Sequence, residues 1–304
     1  MNSPRETDTV EFTSTPIVSI DREPLSAPGM EVDTAGLSHV GRIRSNNEDH
    51  FLVTRFGRFL ETLATNLSSS DATFCEDEVG YCLLVADGMG GHAGGEVASK
   101  LAVSTLIKLV LATPDWILRL DDDQLSQEVM RRAKVRLGQI NTALVDVAQA
   151  NPNLKGLGTT LTVAWNLGKD LIIAHVGDSC AYLYRKQQLH KLTHDHTMAQ
   201  FLADQGFIAQ REVAMSRFHH VLTKALGDTA TKMEPDLVKL AIEDGDVLLL
   251  CTDGLTDMVS DELVSASLGC AIDAKETCKV LLEQALDAGG KDNVTVAVAR
   301  YRFV

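Results

Sequence analysis

Two uninterrupted apolar runs stand out along the chain, and both lead into Asp-Gly. Tyr81-Cys82-Leu83-Leu84-Val85-Ala86 runs into Asp87-Gly88, and Val247-Leu248-Leu249-Leu250-Cys251 runs through Thr252 into Asp253-Gly254. Apolar runs of this length without alternation predict buried strands. The glycine after each aspartate predicts that the chain turns at once. An ionised carboxylate at the tip of a core strand is costly unless an opposite charge meets it. Glu48-Asp49 and Asp292 stand in similar strand-edge settings, so the partner these acids imply is a pair of hard divalent cations.

The remaining pattern supplies the scaffold. Strand signals cover residues 32–40, 50–54, 159–165, 171–176, 181–184, 236–241, 246–251 and 294–299. Apolar residues at helical spacing predict helices over 95–112, through Val97, Leu101, Leu106, Leu109 and Val110, and over 126–150, through Val129, Ala133, Leu137, Ile140, Leu144 and Val147. Asn151-Pro152-Asn153 ends the second of these. Shorter helices are expected at 198–202, from Asp261, and over 274–286. Asp121-Asp122-Asp123 reads as a solvated loop or a helix N-terminus. Strand hairpins with helices gathered in separate runs predict an α+β sandwich rather than alternating βαβ units.

Four of the seven prolines, Pro4, Pro16, Pro24 and Pro28, fall in the first 32 residues. Residues 1–32 are therefore expected to be a flexible tail, with one short strand near 16–20, and a docking segment is the functional alternative. Residues 33–304 form the folded domain, and a loop-like insertion lies within 55–78. The mixed, irregular stretch at 205–217 predicts a mobile surface flap, about 195–221 overall.

With 42 acidic against 28 basic residues the formal charge is −14, which would repel a nucleic-acid backbone. The six cysteines include no CxxC pair, and Cys82 and Cys251 lie inside the apolar runs; buried thiols are expected rather than disulfides or a zinc site. The longest apolar stretch is interrupted by Lys108 and is too short to span a bilayer. A cytoplasmic protein, monomeric by default, is the expectation.

Five segments carry chemistry. Arg44, four residues before Glu48-Asp49, offers a planar fork for phosphate beside metal-binding acids, although such spacing alone is usually a surface ion pair. In Asp87-Gly88-Met89-Gly90-Gly91-His92 the glycines permit close backbone approach, and the Gly-Lys-Ser/Thr ending of a P-loop is missing. Val176-Gly177-Asp178-Ser179 read alone is an ordinary hairpin turn. Thr252-Asp253-Gly254 and Gly289-Gly290-Lys291-Asp292-Asn293-Val294-Thr295 complete the set.

In this order and spacing the five segments resemble the metal-dependent serine/threonine protein phosphatases of the 2C type, in their bacterial form, from about residue 35 to the C-terminus. Leu192-Thr193-His194-Asp195-His196-Thr197 and Leu222-Thr223-Lys224-Ala225-Leu226-Gly227 add to the likeness. The resemblance implies an αββα sandwich, two antiparallel β-sheets flanked by α-helices, with a binuclear metal centre at one end. It implies that Asp87 bridges two Mg²⁺ or Mn²⁺ ions, that the Gly88 carbonyl joins one, and that Asp253 and Asp292 bind the other. Glu48 and Asp49 would hold metal-bound waters or touch a metal directly. Asp178, with Asp253, would support a third and weaker ion, and Arg44 would clamp phosphate. Oxygen-only donors suit Mg²⁺ or Mn²⁺ without appeal to any family, since zinc usually takes His or Cys.

The activity so implied is hydrolysis of phosphoserine and phosphothreonine on proteins, by in-line attack of a hydroxide bridging two divalent cations. Its setting would be bacterial signalling, with a Ser/Thr kinase and its targets as partners. The chain departs from the family pattern in two places. Cys180 stands where Gly-Asp-Ser is usually followed by Arg, and Met89 follows Asp-Gly where eukaryotic members carry His. His92, three residues on, is a candidate proton donor or a loop-capping histidine, with a metal-bound water as the alternative donor. His219 and His220 read as structural or flap residues. A catalytically dead phosphoprotein-binding domain and a regulatory member docked through its tail are the competing readings.

Overall fold

The computed structural model describes residues 29–57, 79–90, 94–112, 122–228 and 234–304, the side chains of 122–126 excepted. The expected tail and the 16–20 strand lie outside the described residues up to position 28, as do most of the 55–78 insertion and His92. Strands β1 (Met30–His39), β2 (His50–Gly57), β3 (Val79–Ala86) and β4 (Gly88–Met89) come first, followed by helices α1 (Gly94–Ala112) and α2 (Asp122–Ala150). Next are β5 (Gly158–Thr159), β6 (Leu161–Leu167), β7 (Asp170–Val176), β8 (Cys180–Arg185) and β9 (Gln188–Lys191). Helix α3 (Met198–Asp204), β10 (Asp236–Ala241), β11 (Val247–Cys251), α4 (Asp253–Thr256), α5 (Asp261–Cys270), α6 (Ala274–Asp287) and β12 (Val294–Phe303) complete the order.

Two antiparallel sheets stack, ordered β1-β12-β11-β8-β9 and β10-β7-β6-β3-β2. Their inner faces share one core, in which Leu83 and Val85 of β3 meet Leu248 and Leu250 of β11. The alternate residues of the same strands face helices. Cys82, Leu84 and Ala86 pack with Ala98, Ala102 and Leu106 of α1 and with Leu137 and Leu144 of α2. Val247, Leu249 and Cys251 pack with Leu268 of α5 and Cys278 and Leu281 of α6. Strands covered on both faces need apolar residues at every position, which is why the two runs do not alternate. Burial of each large side chain contributes about 1.5–3 kcal/mol, so these two strands anchor all four layers.

The layers confirm the α+β sandwich, and the acidic stretch at 121–123 resolves as the start of α2 from Asp122. Strand β1 begins at Met30, before the boundary expected at residue 33, because it pairs with β12 as far as Met30 opposite Phe303. The glycines of the two Asp-Gly pairs do not make turns. Gly88 continues into β4, and Gly254 lies inside α4, neither with positive φ. A Cβ on Gly88 would collide with the Gly95 carbonyl, and one on Gly254 with the Asn293 carbonyl. Both glycines serve close approach of backbone rather than chain reversal. Cys82, Cys180, Cys251 and Cys278 are buried free thiols, as expected, and Cys270 is exposed.

Candidate metal centre

Antiparallel pairing brings the acids together. His50 at the start of β2 lies opposite Ala86 at the end of β3, so Asp49 and Asp87 flank the same end of one sheet. In the other sheet Cys251 at the end of β11 pairs with Val296 near the start of β12, which sets Asp253 beside Asp292. Asp178 sits where the chain crosses from β7 of one sheet to β8 of the other. These residues, with Arg44 and Glu48, border a cleft of about 580 Å³; Asp49 lies buried beneath it.

Hydrogen bonds fix the backbone around each acid. The Asp87 N–H donates to Thr160 Oγ1 at 2.9 Å, while its carbonyl accepts from Thr159 Oγ1 and the Thr160 N–H. The Glu48 carbonyl accepts from Ser99 Oγ at 2.5 Å and from the Gly88 N–H at 3.2 Å. Asn293, buried, ties down the loop between β1 and β2. Its Oδ1 accepts from the Glu48 N–H at 2.8 Å, and its Nδ2 donates to the Val40 and Asn46 carbonyls at 2.9 Å. Asp49 Oδ2 accepts from Thr252 Oγ1 and Thr295 Oγ1 at 2.8 and 2.7 Å.

The charges are poorly met by protein. Burial pushes the Asp49 carboxyl up to about 7, against the two threonine hydroxyls that favour its ionised form. Burial also raises Asp87 well above the carboxylate range, reinforced by Asp49, Asp253, Asp178 and Asp292. Asp178 is raised by burial and then by Asp253 and Asp195, and Glu48 is raised chiefly by burial. Asp49 Oδ1 is buried without a hydrogen-bond partner. No donor among the described residues reaches the Asp87 side chain. Mutually repelling carboxylates with an orphaned oxygen, and all-oxygen donors, are what hard divalent cations require. The residues present fit such ions.

Each expected site residue within the described chain reaches this end of the sandwich. Arg44 Nη2 donates to Asp292 Oδ2 at 2.7 Å, and this bond holds the guanidinium above its ordinary value. Behind Asp178, the Cys180 thiol points at the Asp178 carbonyl and at Asp195 Oδ1, 3.8 Å away. Lys191 Nζ binds Asp195 Oδ2 at 2.7 Å, so a cation from β9 meets the acid that residue 180 faces. The expected flap leaves and returns at one place: the Met198 N–H donates to the Val221 carbonyl, and the Thr223 N–H to the His196 carbonyl.

Sequence reasoning gave no role to Asn293, Thr252, Thr295 or Thr160, although the first three stood inside quoted motifs. It also underrated His220. This residue lines the cleft, with Nδ1 3.4 Å from Asp253 Oδ2 and Nε2 3.4 Å from Asp257 Oδ2, and its bond to Asp253 raises the imidazole. Only the return of the flap onto α4 makes that contact, and no local sequence signal marks it.

Comparison with known proteins agrees with this geometry. Residues 61–287 match the family model described as protein phosphatase 2C. The serine/threonine protein phosphatase PstP of Mycobacterium tuberculosis is 40% identical over 219 residues, which is 71% of this chain and 40% of that protein. The chain thus spans well under two thirds of that relative's length. The serine/threonine phosphatase stp of Listeria monocytogenes is 33% identical over 214 residues, 70% of this chain and 82% of the relative. The crystal structure of the catalytic domain of PstP in complex with two manganese ions superposes with a TM-score of 0.69 at 32% identity, covering 90% of this chain and 99% of that one.

Proposed function

This chain belongs to the protein phosphatase 2C family, and on that premise we propose that it hydrolyses phosphoserine and phosphothreonine in proteins with divalent cations. The observation that carries the reading is the convergence of Asp87, Asp253 and Asp292 at one cleft, over the buried Asp49 and beside Arg44. Asp87 and the Gly88 carbonyl would hold one ion. Asp87, Asp253 and Asp292 would hold a second, and Asp178 with Asp253 a third, weaker one. Bound there, Mg²⁺ or Mn²⁺ supplies Lewis acidity toward water and toward the phosphoryl oxygens.

The chain's own residues bind and orient. Arg44 exchanges its contact with Asp292 for the phosphate dianion, which it grips as a planar fork. Asn293 holds the Glu48 backbone against the segment that carries Asp292, so these acids keep their spacing when charge enters the cleft. Thr252 and Thr295 fix the Asp49 carboxylate through one oxygen and leave the other for the site. His92 is our candidate donor of the proton that the departing serine or threonine oxygen takes up. The flap at 195–221 borders the cleft through His220 and would influence which phosphoprotein enters. The substrates we propose are targets of a Ser/Thr kinase in the cytoplasm, and among the described residues no helix is long and apolar enough to cross a membrane.

The test is phosphate release by the full chain from a phosphothreonine peptide with Mn²⁺ and with a chelator. The reading predicts turnover with Mn²⁺ that the chelator abolishes. Equal, negligible rates in both would leave a phosphoprotein-binding domain instead.

A further inference from the structure

His219, His220 and Asp257 each place one ligand-type atom within 4.8 Å of the others. The set joins the end of the flap to the residue that follows α4. Its donors are two imidazoles and one carboxylate, unlike the all-oxygen set of the main cleft. Each imidazole is already oriented by its other nitrogen. His219 Nδ1 donates to the Ser216 carbonyl at 2.5 Å, which leaves Nε2 with its lone pair outward. His220 Nδ1 faces Asp253 Oδ2 at 3.4 Å, and its Nε2 faces Asp257 Oδ2, also at 3.4 Å. Metal-binding histidines almost always show this arrangement, one nitrogen on a carbonyl or carboxylate and the other on the ion. The two rings lie with centroids 3.7 Å apart.

We propose that His219, His220 and Asp257 form a separate site for a borderline transition cation of the Zn²⁺ class. Imidazole with carboxylate suits Zn²⁺, Co²⁺ or Ni²⁺ and not Mg²⁺. Ligands about 2.0–2.1 Å from a tetrahedral ion sit about 3.3 Å apart, which the His220–Asp257 pair already approaches. Asp257 lies exposed, so rotation of its side chain brings its carboxylate toward both rings. Three protein donors leave a fourth position open to water or an anion. Filling the site ties the flap to α4 and fixes the His220 ring against Asp253, so occupancy slows turnover in the neighbouring cleft.

The test uses the full chain saturated with Mg²⁺, titrated with Co²⁺ and followed by its visible absorption, a readout independent of the phosphatase reading. One equivalent of Co²⁺ should bind with an intense four-coordinate spectrum, and Zn²⁺ should displace it. His219→Gln and Asp257→Asn should each weaken binding at least tenfold. His219→Gln should keep its Mg²⁺-dependent turnover and lose sensitivity to Zn²⁺. The proposal is overturned if the Mg²⁺-loaded protein takes up no Co²⁺. It is equally overturned if both variants, shown folded by circular dichroism, bind Co²⁺ with unchanged affinity and spectrum.

Discussion

Arg44 Nη2 lies 2.7 Å from Asp292 Oδ2, so the cation at the rim of the cleft is held by one of the acids inside it. Both side chains are substantially exposed, 57% and 40%, and a pair so placed is worth only about 0–1 kcal/mol. On the proposed reading a phosphate dianion recruits the guanidinium at little cost, while Asp292 turns to a cation. On that reading Arg44 is a gripping group shared between free and bound states.

If Arg44 grips substrate in the ground state, Arg44→Ala raises KM by about tenfold, a loss of ~1.4 kcal/mol, and changes kcat less. Arg44→Lys recovers only part of this, because an ammonium lacks the planar fork. Steady-state kinetics on a phosphothreonine peptide decide the point. An unchanged KM with a large fall in kcat would contradict the assigned role.

Asn293 holds Val40, Asn46 and Glu48 of the loop between β1 and β2 through three hydrogen bonds of its buried side chain. Asn293→Ala strands the Glu48 N–H and two carbonyls and should cost about 2–3 kcal/mol. Urea unfolding without divalent cation should show a lower midpoint and an unchanged slope. Mn²⁺ affinity should fall with it, since the Glu48 and Asp292 segments lose their common tie.

His175 provides a pH-dependent test away from the acids. Burial pushes its imidazole down to about 3. Thr162 Oγ1 meets its Nδ1 at 2.8 Å, and Nε2 meets the His194 carbonyl at 3.2 Å. The stacked His196 and the charge of Lys191 also oppose protonation, Asp236 opposes them, and Lys224 reaches the far side of His196. A folded-state value below the unfolded one near 6.5 means that the unfolded chain binds the proton first. This contribution to stability is full above pH 6.5 and is lost as pH falls toward 3. Relative to His175→Gln, the native protein should lose about 2 kcal/mol between pH 6.5 and 5, measured by denaturant unfolding. A constant difference would contradict the buried neutral ring.

Much of this was legible because the chemistry sits on the strongest local signals. The apolar runs before Asp87 and Asp253 are strands covered on both faces, so their ends could be placed from sequence. Strand β9 was not foreseen: Gln188-Leu189-His190-Lys191 is a mostly polar, exposed edge, and only its pairing with β8 defines it. The glycine of an Asp-Gly pair signals a turn in sequence, whereas here Gly88 admits the Gly95 carbonyl and Gly254 the Asn293 carbonyl. The roles of Asn293 and His220 rest on contacts across 245 and 33 residues, which periodicity does not report. Local burial was readable; long-range closure was not.

Asp87 and its neighbouring acids are proposed to hold the cations that make this cleft hydrolytic. The direct measurement is turnover of a phosphothreonine peptide by the full chain and by Asp87→Asn, both at saturating Mn²⁺ and both shown folded. The expected loss is at least about a hundredfold in kcat/KM, ~2.7 kcal/mol of transition-state stabilisation. Turnover by Asp87→Asn within about twofold of the native protein would contradict it.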